Sequence, residues 1–172
     1  MFHLQDPNKI VLGALVSLGH LQRVESFLDS AREDGASFVT GGSRPRNLPD
    51  HLSGGAFLEP TVITGLGRDC KAQRQEIFGP VVSVTPFDDE EEVIGLANDT
   101  DYGLSATVWS GNLSRAHRVA ARLEAGIIWV NTWFLRDLRS PFGGMKSSGI
   151  GREGGVHSLE FYTELKNICV KL

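Results

Sequence analysis

The feature that most constrains this chain is the alternation of helix-period segments with short β-branched or apolar runs. Residues 18–33 carry Leu21, Val24, Leu28 and Ala31 at spacings of three and four, which places one apolar stripe on a predicted helix. Alternation of such segments predicts an α/β fold, in which helices flank a parallel sheet. The predicted strands are 36–40, 57–63, 81–84, 104–109, 127–130 and 167–172.

Three further helices complete the predicted order. The first begins at a capping box formed by Asp88 and Glu91 and runs to Asn98, and the second is capped by Asn112. A short third helix is predicted at 156–165. The predicted apolar face of the second helix consists of Leu113, Ala116, Ala120 and Leu123. Because no linker or internal repeat divides the 172 residues, we expect one compact α/β unit.

For two of the predicted strands, the sequence indicates whether the strand lies at the edge of a sheet. Pro60 lies within 57–63, and proline favours an edge or a break over a central strand. In 167–172, apolar Ile168, Val170 and Leu172 alternate with polar or small residues, so one face of this last strand is apolar. A half-apolar strand at the edge of a sheet is a template for pairing with another chain.

Composition excludes several functional classes. The chain has 17 Lys and Arg against 21 Asp and Glu, a formal charge of −4, and it therefore lacks the positive charge typical of nucleic-acid binders. No apolar run approaches the roughly 18 residues that span a bilayer, and no secretory signal is present at the N-terminus. Two cysteines are too few for a disulfide scaffold. We expect a cytoplasmic protein that binds neither nucleic acid nor membrane.

Glycine is in excess, with 20 residues, about 12% of the chain against an average near 7%. Residues 149–154 match the G-x-G-x-x-G pattern of dinucleotide-binding turns, but no predicted strand leads into them. We therefore do not expect a phosphate-binding turn there. The preceding loop, residues 141–149, has two open readings: a ligand-binding loop, or a structural turn that packs Phe142 into the core.

Two other patches combine charged and aromatic residues. Glu76 and Phe78 lie just before a predicted strand, where both side chains point the same way on an extended backbone. A carboxylate there is able to hold sugar hydroxyls while the ring packs on a flat heterocycle. In residues 133–139, Arg136 and Arg139 lie among large apolar residues and are able to clamp a carboxylate. The alternatives are a solvated Glu beside a core Phe, and a surface pair between Arg136 and Asp137.

The sequence gives little evidence for a metal site or a cysteine nucleophile. The five histidines show no spacing typical of a metal site, so we predict none. Arg68 and Lys71 flank Cys70 and are able to lower its pKa, which is weak evidence by itself, and Cys169 alternates within the last predicted strand. We expect two free, non-catalytic thiols.

Five short motifs, taken in their order and spacing, resemble the C-terminal part of the aldehyde dehydrogenase superfamily. The resemblance covers the chain from about Asp6, and the segment 133–139 with the tail 152–172 is most similar to the 2-hydroxymuconic and 2-aminomuconic semialdehyde dehydrogenase group. Enzymes of that group oxidise semialdehydes with NAD. The motifs are residues 76–81, 102–104, 129–131, 141–144 and 148–153.

The resemblance implies a role for four site residues and for the tail. Glu76 resembles the carboxylate that holds the nicotinamide ribose, and Phe78 the ring beside the nicotinamide. Arg136 resembles the residue that grips the substrate carboxylate, and Phe142 a wall of the substrate tunnel. The strand 167–172 resembles the family's oligomerisation strand, which implies a homo-oligomer.

In this family a cysteine thiolate attacks the aldehyde, nicotinamide accepts hydride and water releases the acid. The nucleophilic cysteine, the general-base glutamate and the dinucleotide-binding domain all precede the segment that matches here. The resemblance therefore implies that 1–172 is a partial catalytic and oligomerisation region that is inactive alone, with no catalytic residue of its own. Two alternatives stay open: a non-catalytic oligomerisation or regulatory module that joins full-length subunits through 167–172, and a truncated product.

Overall fold

The computed structural model describes residues 12–172. The predicted start of the resemblance at Asp6 and His3 of the five histidines lie outside this range. Contacts divide the chain into two compact units, one ending at Pro86 and one from Phe87 to Leu172. The helices are α1 (Leu18–Glu33), α2 (Lys71–Arg74), α3 (Glu90–Asn98), α4 (Leu113–Arg122) and α5 (Val156–Tyr162). The strands are β1 (Ser37–Thr40), β2 (Thr61–Thr64), β3 (Val81–Val84), β4 (Tyr102–Gly103), β5 (Ser105–Val108), β6 (Ile127–Val130) and β7 (Met145–Lys146).

The first unit is built on α1. Ser17 caps this helix, because its hydroxyl accepts a hydrogen bond from the His20 N–H at 3.1 Å. The predicted stripe is confirmed: Leu21, Val24 and Leu28 are buried and pack into one core. Burial of this stripe removes apolar surface from water and fixes α1 to the sheet.

A three-stranded sheet, in the order β1-β2-β3, completes the first unit. β2 pairs parallel to β3, with Thr61 opposite Val81, and antiparallel to β1. Ile63 in the central strand is fully buried. Pro60 lies directly before β2, so it marks a break as predicted and the strand begins at Thr61 instead of Phe57. The alternative of an edge strand is wrong, because β2 is the central strand of the sheet.

The second unit contains a parallel pair, β5 and β6, and an antiparallel pair, β4 and β7. α4 packs against β5 and β6 through Ala116 and Val119, its two buried residues. Asn112 caps α4 as predicted, and its side chain accepts from the Arg115 N–H at 2.9 Å. Leu113 of the predicted apolar face is instead 65% exposed.

Charged side chains join α3 to α4 in the second unit. The Glu90 carboxylate accepts two hydrogen bonds from Arg118, at 2.5 and 2.7 Å, and Glu91 pairs in the same way with Arg122. These arginines hold the pKa of each of the two carboxyls below its usual range.

The capping box of α3 lies one residue later than predicted. Asp89 is the N-cap, accepting from the Glu92 N–H at 2.8 Å, and Glu92 in turn accepts from the Asp88 N–H at 2.8 Å. The prediction of Asp88 with Glu91 is therefore wrong. Glu91 is unavailable to the cap because its carboxylate is bound to Arg122 of α4.

Two larger expectations also need correction. The chain does not form one unit around one sheet, because its strands belong to three small sheets, each confined to one side of Pro86. No strand forms at 167–172, where every residue is exposed. A strand needs a neighbour for its backbone hydrogen bonds, and none of the residues 12–172 provides one for this segment. Its role in oligomerisation stays a prediction. Within the same range, no helix has the length and apolarity required to cross a bilayer.

Candidate functional site

The first unit has a cleft of about 690 Å³ beside the segment that precedes β3. Glu76 and Phe78 line this cleft with Ile77 between them. Ile77 is half-buried against the core, whereas Glu76 is exposed and Phe78 keeps 70% of its surface exposed. The two predicted cofactor residues therefore face away from the core, but not through the alternation of an extended backbone, because Phe78 adopts a left-handed conformation.

Contacts with α1 hold the backbone of this segment in place. The His20 ring nitrogen Nε2 lies 2.7 Å from the Phe78 carbonyl oxygen, and Arg23 donates to the Glu76 carbonyl at 3.3 Å. Gly79 lies so close to Val24 that a Cβ at position 79 would approach the Val24 methyls to 2.8 Å. These contacts engage backbone atoms of 76 and 78 and leave both side chains available to a ligand.

Phe78 has a φ of 61°, in the left-handed region that non-glycine residues rarely adopt. Such a conformation costs on the order of 1 kcal/mol or more and persists only where surrounding contacts impose it. The bond to His20 is one such contact. Backbone strain at an exposed aromatic residue is typical of ligand-binding positions.

The chemistry of this cleft fits a nucleotide cofactor. A carboxylate is able to accept hydrogen bonds from two neighbouring ribose hydroxyls, and within residues 12–172 the Glu76 carboxylate has no donor bound to it. The exposed ring of Phe78 is able to pack on a flat heterocycle. Glu76 and Phe78 therefore have the chemistry to hold a nucleotide, and their role at the nicotinamide ribose stays a prediction.

The second unit brings Arg136 and Phe142 together. The Arg136 guanidinium carbon lies 4.1 Å from the centre of the Phe142 ring, and its Nη2 donates to the Glu153 carboxylate at 2.8 Å. The backbone of Arg136 is exposed, but its side chain keeps only 27% of its surface open. Phe142 is half-buried, so one face of its ring covers the guanidinium and it is not solely a core residue.

Arg139 has a different environment from Arg136. Its Nε and Nη2 donate to the two carboxylate oxygens of Asp137, at 3.0 and 2.6 Å, which lowers the pKa of Asp137. The suggested pair between Arg136 and Asp137 is therefore wrong, because Asp137 is occupied by Arg139 and Arg136 by Glu153. Arg139 is 88% exposed and less suited to grip a ligand.

Aromatic rings surround the chain near Arg136. Trp129 of β6 is buried, and its ring centre lies 5.0 Å from that of Trp133 and 6.2 Å from that of Phe134. The Trp129 indole N–H donates to the Leu135 carbonyl at 2.7 Å. Trp133 and Phe134 remain more than half exposed. The segment 133–139 therefore presents two large apolar rings to solvent.

Close packing accounts for two glycines of the second unit. A Cβ at Gly126 would lie 1.6 Å from the Gly143 carbonyl oxygen, so two backbones meet closely at this point. At Gly151 the space for a side chain is filled by the Phe161 ring, 2.0 Å from an added Cβ. Gly151 of the G-x-G-x-x-G match therefore allows close packing of the Phe161 ring.

The two cysteines lie in different surroundings. Burial and a hydrogen bond with Asp34 raise the pKa of Cys70, which keeps the thiol protonated. Cys169 is exposed in the tail, and both cysteines are free. No group of three or more potential metal ligands occurs among residues 12–172.

Sequence reasoning missed three residues that shape these sites. His20 and Arg23 are three apart and therefore share a helix face, a signal that indicates a common contact surface but not its target. Glu153 is bound to Arg136 across 17 positions, and no local pattern connects the two. All three act through contacts between distant parts of the sequence.

Comparison with known proteins gives a consistent result. Residues 2–168 match the family described as "Aldehyde dehydrogenase family". The 2-hydroxymuconic semialdehyde dehydrogenase of Pseudomonas sp. (strain CF600) is 61% identical over 167 residues, which cover 97% of this chain and 34% of that protein. The 2-aminomuconic semialdehyde dehydrogenase of Bos taurus is 53% identical over 161 residues, covering 93% of this chain and 33% of that protein. The chain spans about a third of the length of these relatives.

Solved structures share the fold. The crystal structure of HpcC from Thermus thermophilus superposes with a TM-score of 0.86 at 45% identity, covering 91% of this chain and 30% of that one. The NAD+ complex of an aldehyde dehydrogenase from Bacillus cereus gives a TM-score of 0.82 at 44% identity, covering 90% and 30%. These likenesses confirm the predicted α/β fold.

Proposed function

Because the chain belongs to the aldehyde dehydrogenase family, we propose that its residues serve the NAD-dependent oxidation of a muconic-type semialdehyde to the carboxylic acid. One observation carries the proposal: the Arg136 guanidinium lies on the Phe142 ring within an exposed aromatic segment. The relative from Pseudomonas sp. (strain CF600) is named for such a semialdehyde at 61% identity. A semialdehyde that also carries a carboxylate offers one group for oxidation and one for this arginine.

Glu76 and Phe78 would hold the nicotinamide half of NAD. The carboxylate binds the ribose hydroxyls, and the exposed ring packs beside the nicotinamide. Bound NAD supplies the oxidant, which takes up hydride from the aldehyde carbon. The chain's own part is orientation, since contacts with His20 and Arg23 fix the backbone that carries both side chains.

Arg136 would bind the substrate carboxylate, and the rings around it would contact the conjugated carbon chain. A guanidinium binds a carboxylate through two parallel hydrogen bonds, which fixes direction as well as distance. Phe142 would form part of the wall of the substrate tunnel. This arrangement would direct the aldehyde end of the substrate away from Arg136, toward the reacting thiol.

The thiol itself would come from outside residues 12–172. Cys70 has a raised pKa, which does not favour a nucleophile, and Cys169 lies in the exposed tail. The 172-residue chain alone is therefore expected to be inactive. Its free thiols suit the reducing cytoplasm, which is the compartment that we propose.

The test measures NADH formation by the full-length natural protein that contains these residues, with 2-hydroxymuconic semialdehyde and with an unbranched aliphatic aldehyde. Arg136→Ala is expected to lower kcat/KM for the semialdehyde about 30-fold, or about 2 kcal/mol, the lower end for breaking a buried charged pair. The aliphatic aldehyde loses little, because it has no carboxylate. The matched control is Arg139→Ala, since Arg139 is 88% exposed.

Two outcomes would contradict the proposal. Equal losses for both aldehydes in Arg136→Ala would remove the carboxylate grip. Clear NAD-dependent turnover by the 172-residue chain alone, abolished by Cys70→Ala, would show that the nucleophile lies within it.

The tail favours a second candidate function, association with further subunits. Ile168, Val170 and Leu172 are exposed with the alternation of a strand that lacks a partner among residues 12–172. Pairing of this segment with a second subunit would bury its apolar face and satisfy its backbone. Val170→Lys is expected to weaken self-association, or capture by co-expressed full-length subunits, in pull-down and sedimentation measurements. Unchanged association in this variant would exclude the tail.

A further inference from the structure

We propose that Glu153 is a positioning residue for Arg136 and, through it, a determinant of selectivity for aldehydes that carry a carboxylate. The inference deepens the proposed function and rests on it. Glu153 would touch neither aldehyde nor cofactor. It would act by deciding where the guanidinium points.

Arg136 is held by contacts on one edge and one face of its guanidinium. A guanidinium is planar and carries five N–H donors. Glu153 takes one donor at 2.8 Å, and the Phe142 ring covers one face with its centre 4.1 Å from the guanidinium carbon. An edge and a face are thereby fixed, so the remaining donors point in a defined direction. Without Glu153, the stacked guanidinium is free to turn in its plane.

The two partners of Arg136 are also bound to each other. Phe142 and Glu153 exchange two backbone hydrogen bonds, each 2.8 Å long. The next residue is fixed as well, because the Gly154 N–H donates to the Ser158 hydroxyl at 2.9 Å. Glu153 and Phe142 therefore form one prearranged support, and Arg136 docks onto it.

Glu153 also sets the charge balance around Arg136. The other nearby basic groups are engaged elsewhere: Arg139 with Asp137, and Arg152 with the carbonyls of Gly144 and Gly151. Glu153 offsets the charge of Arg136, which weakens the attraction for anions in general. The affinity for a substrate carboxylate then depends on the direction of its hydrogen bonds with Arg136. Only a carboxylate that is placed correctly for these bonds binds well. Loss of some affinity in exchange for discrimination is a recognised route to specificity.

The experiment compares Glu153→Ala with Glu153→Gln in the full-length natural protein. The measured quantity is kcat/KM for 2-hydroxymuconic semialdehyde divided by kcat/KM for an unbranched aliphatic aldehyde. The amide of Gln keeps an oxygen that accepts from Arg136, so we expect the ratio to stay within about twofold or to rise. Ala removes the acceptor, and we expect the ratio to fall about tenfold, mainly through KM of the semialdehyde.

Glu160→Ala is the matched control, because Glu160 is an exposed glutamate of α5 that lies 3.7 Å from His157 and does not reach Arg136. The double variant Arg136→Ala with Glu153→Ala is expected to be no worse in the ratio than Arg136→Ala alone. Equal losses for both aldehydes in Glu153→Ala, or additive losses in the double variant, would overturn the proposal. Loss of kcat alone would also overturn it, since positioning acts on binding of the carboxylate.

A second readout separates this proposal from the proposed function. The NMR signal of the Arg136 Nε–H group reports the order of the guanidinium without substrate or turnover. Glu153→Ala is expected to increase the mobility of this group, and Glu153→Gln to preserve its order. If the natural protein oxidises no semialdehyde, the proposed function fails while this measurement still tests the positioning. If the group is equally ordered in both variants, the positioning fails whatever the activity.

Discussion

The two units hold their candidate functional side chains in opposite ways. In the first, His20 and Arg23 hold the backbone carbonyls of Phe78 and Glu76, and the two side chains are left without a partner among residues 12–172. In the second, Arg136 is held by its own side-chain contacts with Glu153 and Phe142.

The difference matches the ligands that we propose for each unit. A carboxylate that receives ribose hydroxyls needs all its acceptors, so only its backbone is available for anchoring. A guanidinium has donors to spare, so one of them is able to fix the orientation of the others. Variants that change the contacts of one unit at a time test this difference.

The largest effect is expected in the second unit, where side-chain contacts depend on two backbones that meet at Gly126 and Gly143. Gly126→Ala places a Cβ 1.6 Å from the Gly143 carbonyl, and the backbone must move. We expect destabilisation of more than about 3 kcal/mol and a fall in Tm of roughly 10 °C or more. Gly111→Ala, with no atom within 4 Å of its Cβ, is the control. A normal melt of Gly126→Ala would show that this meeting point is not rigid.

The next effect tests the free carboxylate of the first unit. Glu76→Ala in the full-length natural protein is expected to raise KM for NAD about 10- to 100-fold, because a hydrogen bond to a charged group contributes about 1.5–3 kcal/mol. Steady-state kinetics with varied NAD measures the change. Glu33→Ala, an exposed glutamate of α1, should leave KM unchanged. An unchanged KM in Glu76→Ala would mean that the exposed carboxylate is merely solvated.

A smaller effect tests whether backbone anchoring matters in the first unit. His20→Ala removes the partner of the Phe78 carbonyl and is expected to cost about 1 kcal/mol. Amide exchange at residues 76–79 should then become about fivefold faster, measured by hydrogen–deuterium exchange. His51→Ala changes an exposed histidine of the same unit and should not alter exchange there. If residues 76–79 exchange at the same rate in His20→Ala and in the natural protein, the contact with His20 does not hold this segment in place.

The smallest effect concerns acid. Arg118 and Arg122 lower the pKa of Glu90 and Glu91 in the folded second unit, so these groups add stability above the ordinary glutamate pKa. That stability is lost as the pH falls through the lowered folded-state values. We expect the fall in Tm below about pH 4.5 to become shallower in the double variant Glu90→Gln with Glu91→Gln. If the Tm of the double variant falls with decreasing pH as steeply as that of Glu160→Gln, solvent screens these ion pairs and they add little stability.

Local periodicity predicts well the elements whose burial depends on their own sequence. The helix 18–33 and the strands 81–84 and 127–130 have the bounds that the sequence predicts. In each case an apolar stripe or run is long enough to define one face. The capping box of α3 shows the limit, because Asp88 and Asp89 are each followed three residues later by a glutamate. Only the contact of Glu91 with Arg122 decides between the two registers.

The sequence alone does not predict which distant segments pair with each other. β4 and β7 have two residues each and pair across more than 40 positions, so neither carries a periodic signal. The segment 167–172 has the alternation of a strand but no partner within residues 12–172. The candidate site follows the same rule. Arg136 and Phe142 are identified by residue type and resemblance, whereas Glu153 emerges only from the bridge between Phe142 and Glu153.

The segment between Asn131 and Phe142 is tethered at both ends. At one end, the Asn131 side chain exchanges two hydrogen bonds with the Ser110 backbone, and at the other Phe142 is bridged to Glu153. Most residues between these tethers face solvent. If the proposed function holds, changes within this segment that keep both tethers are expected to alter the choice of aldehyde more than the stability of the unit.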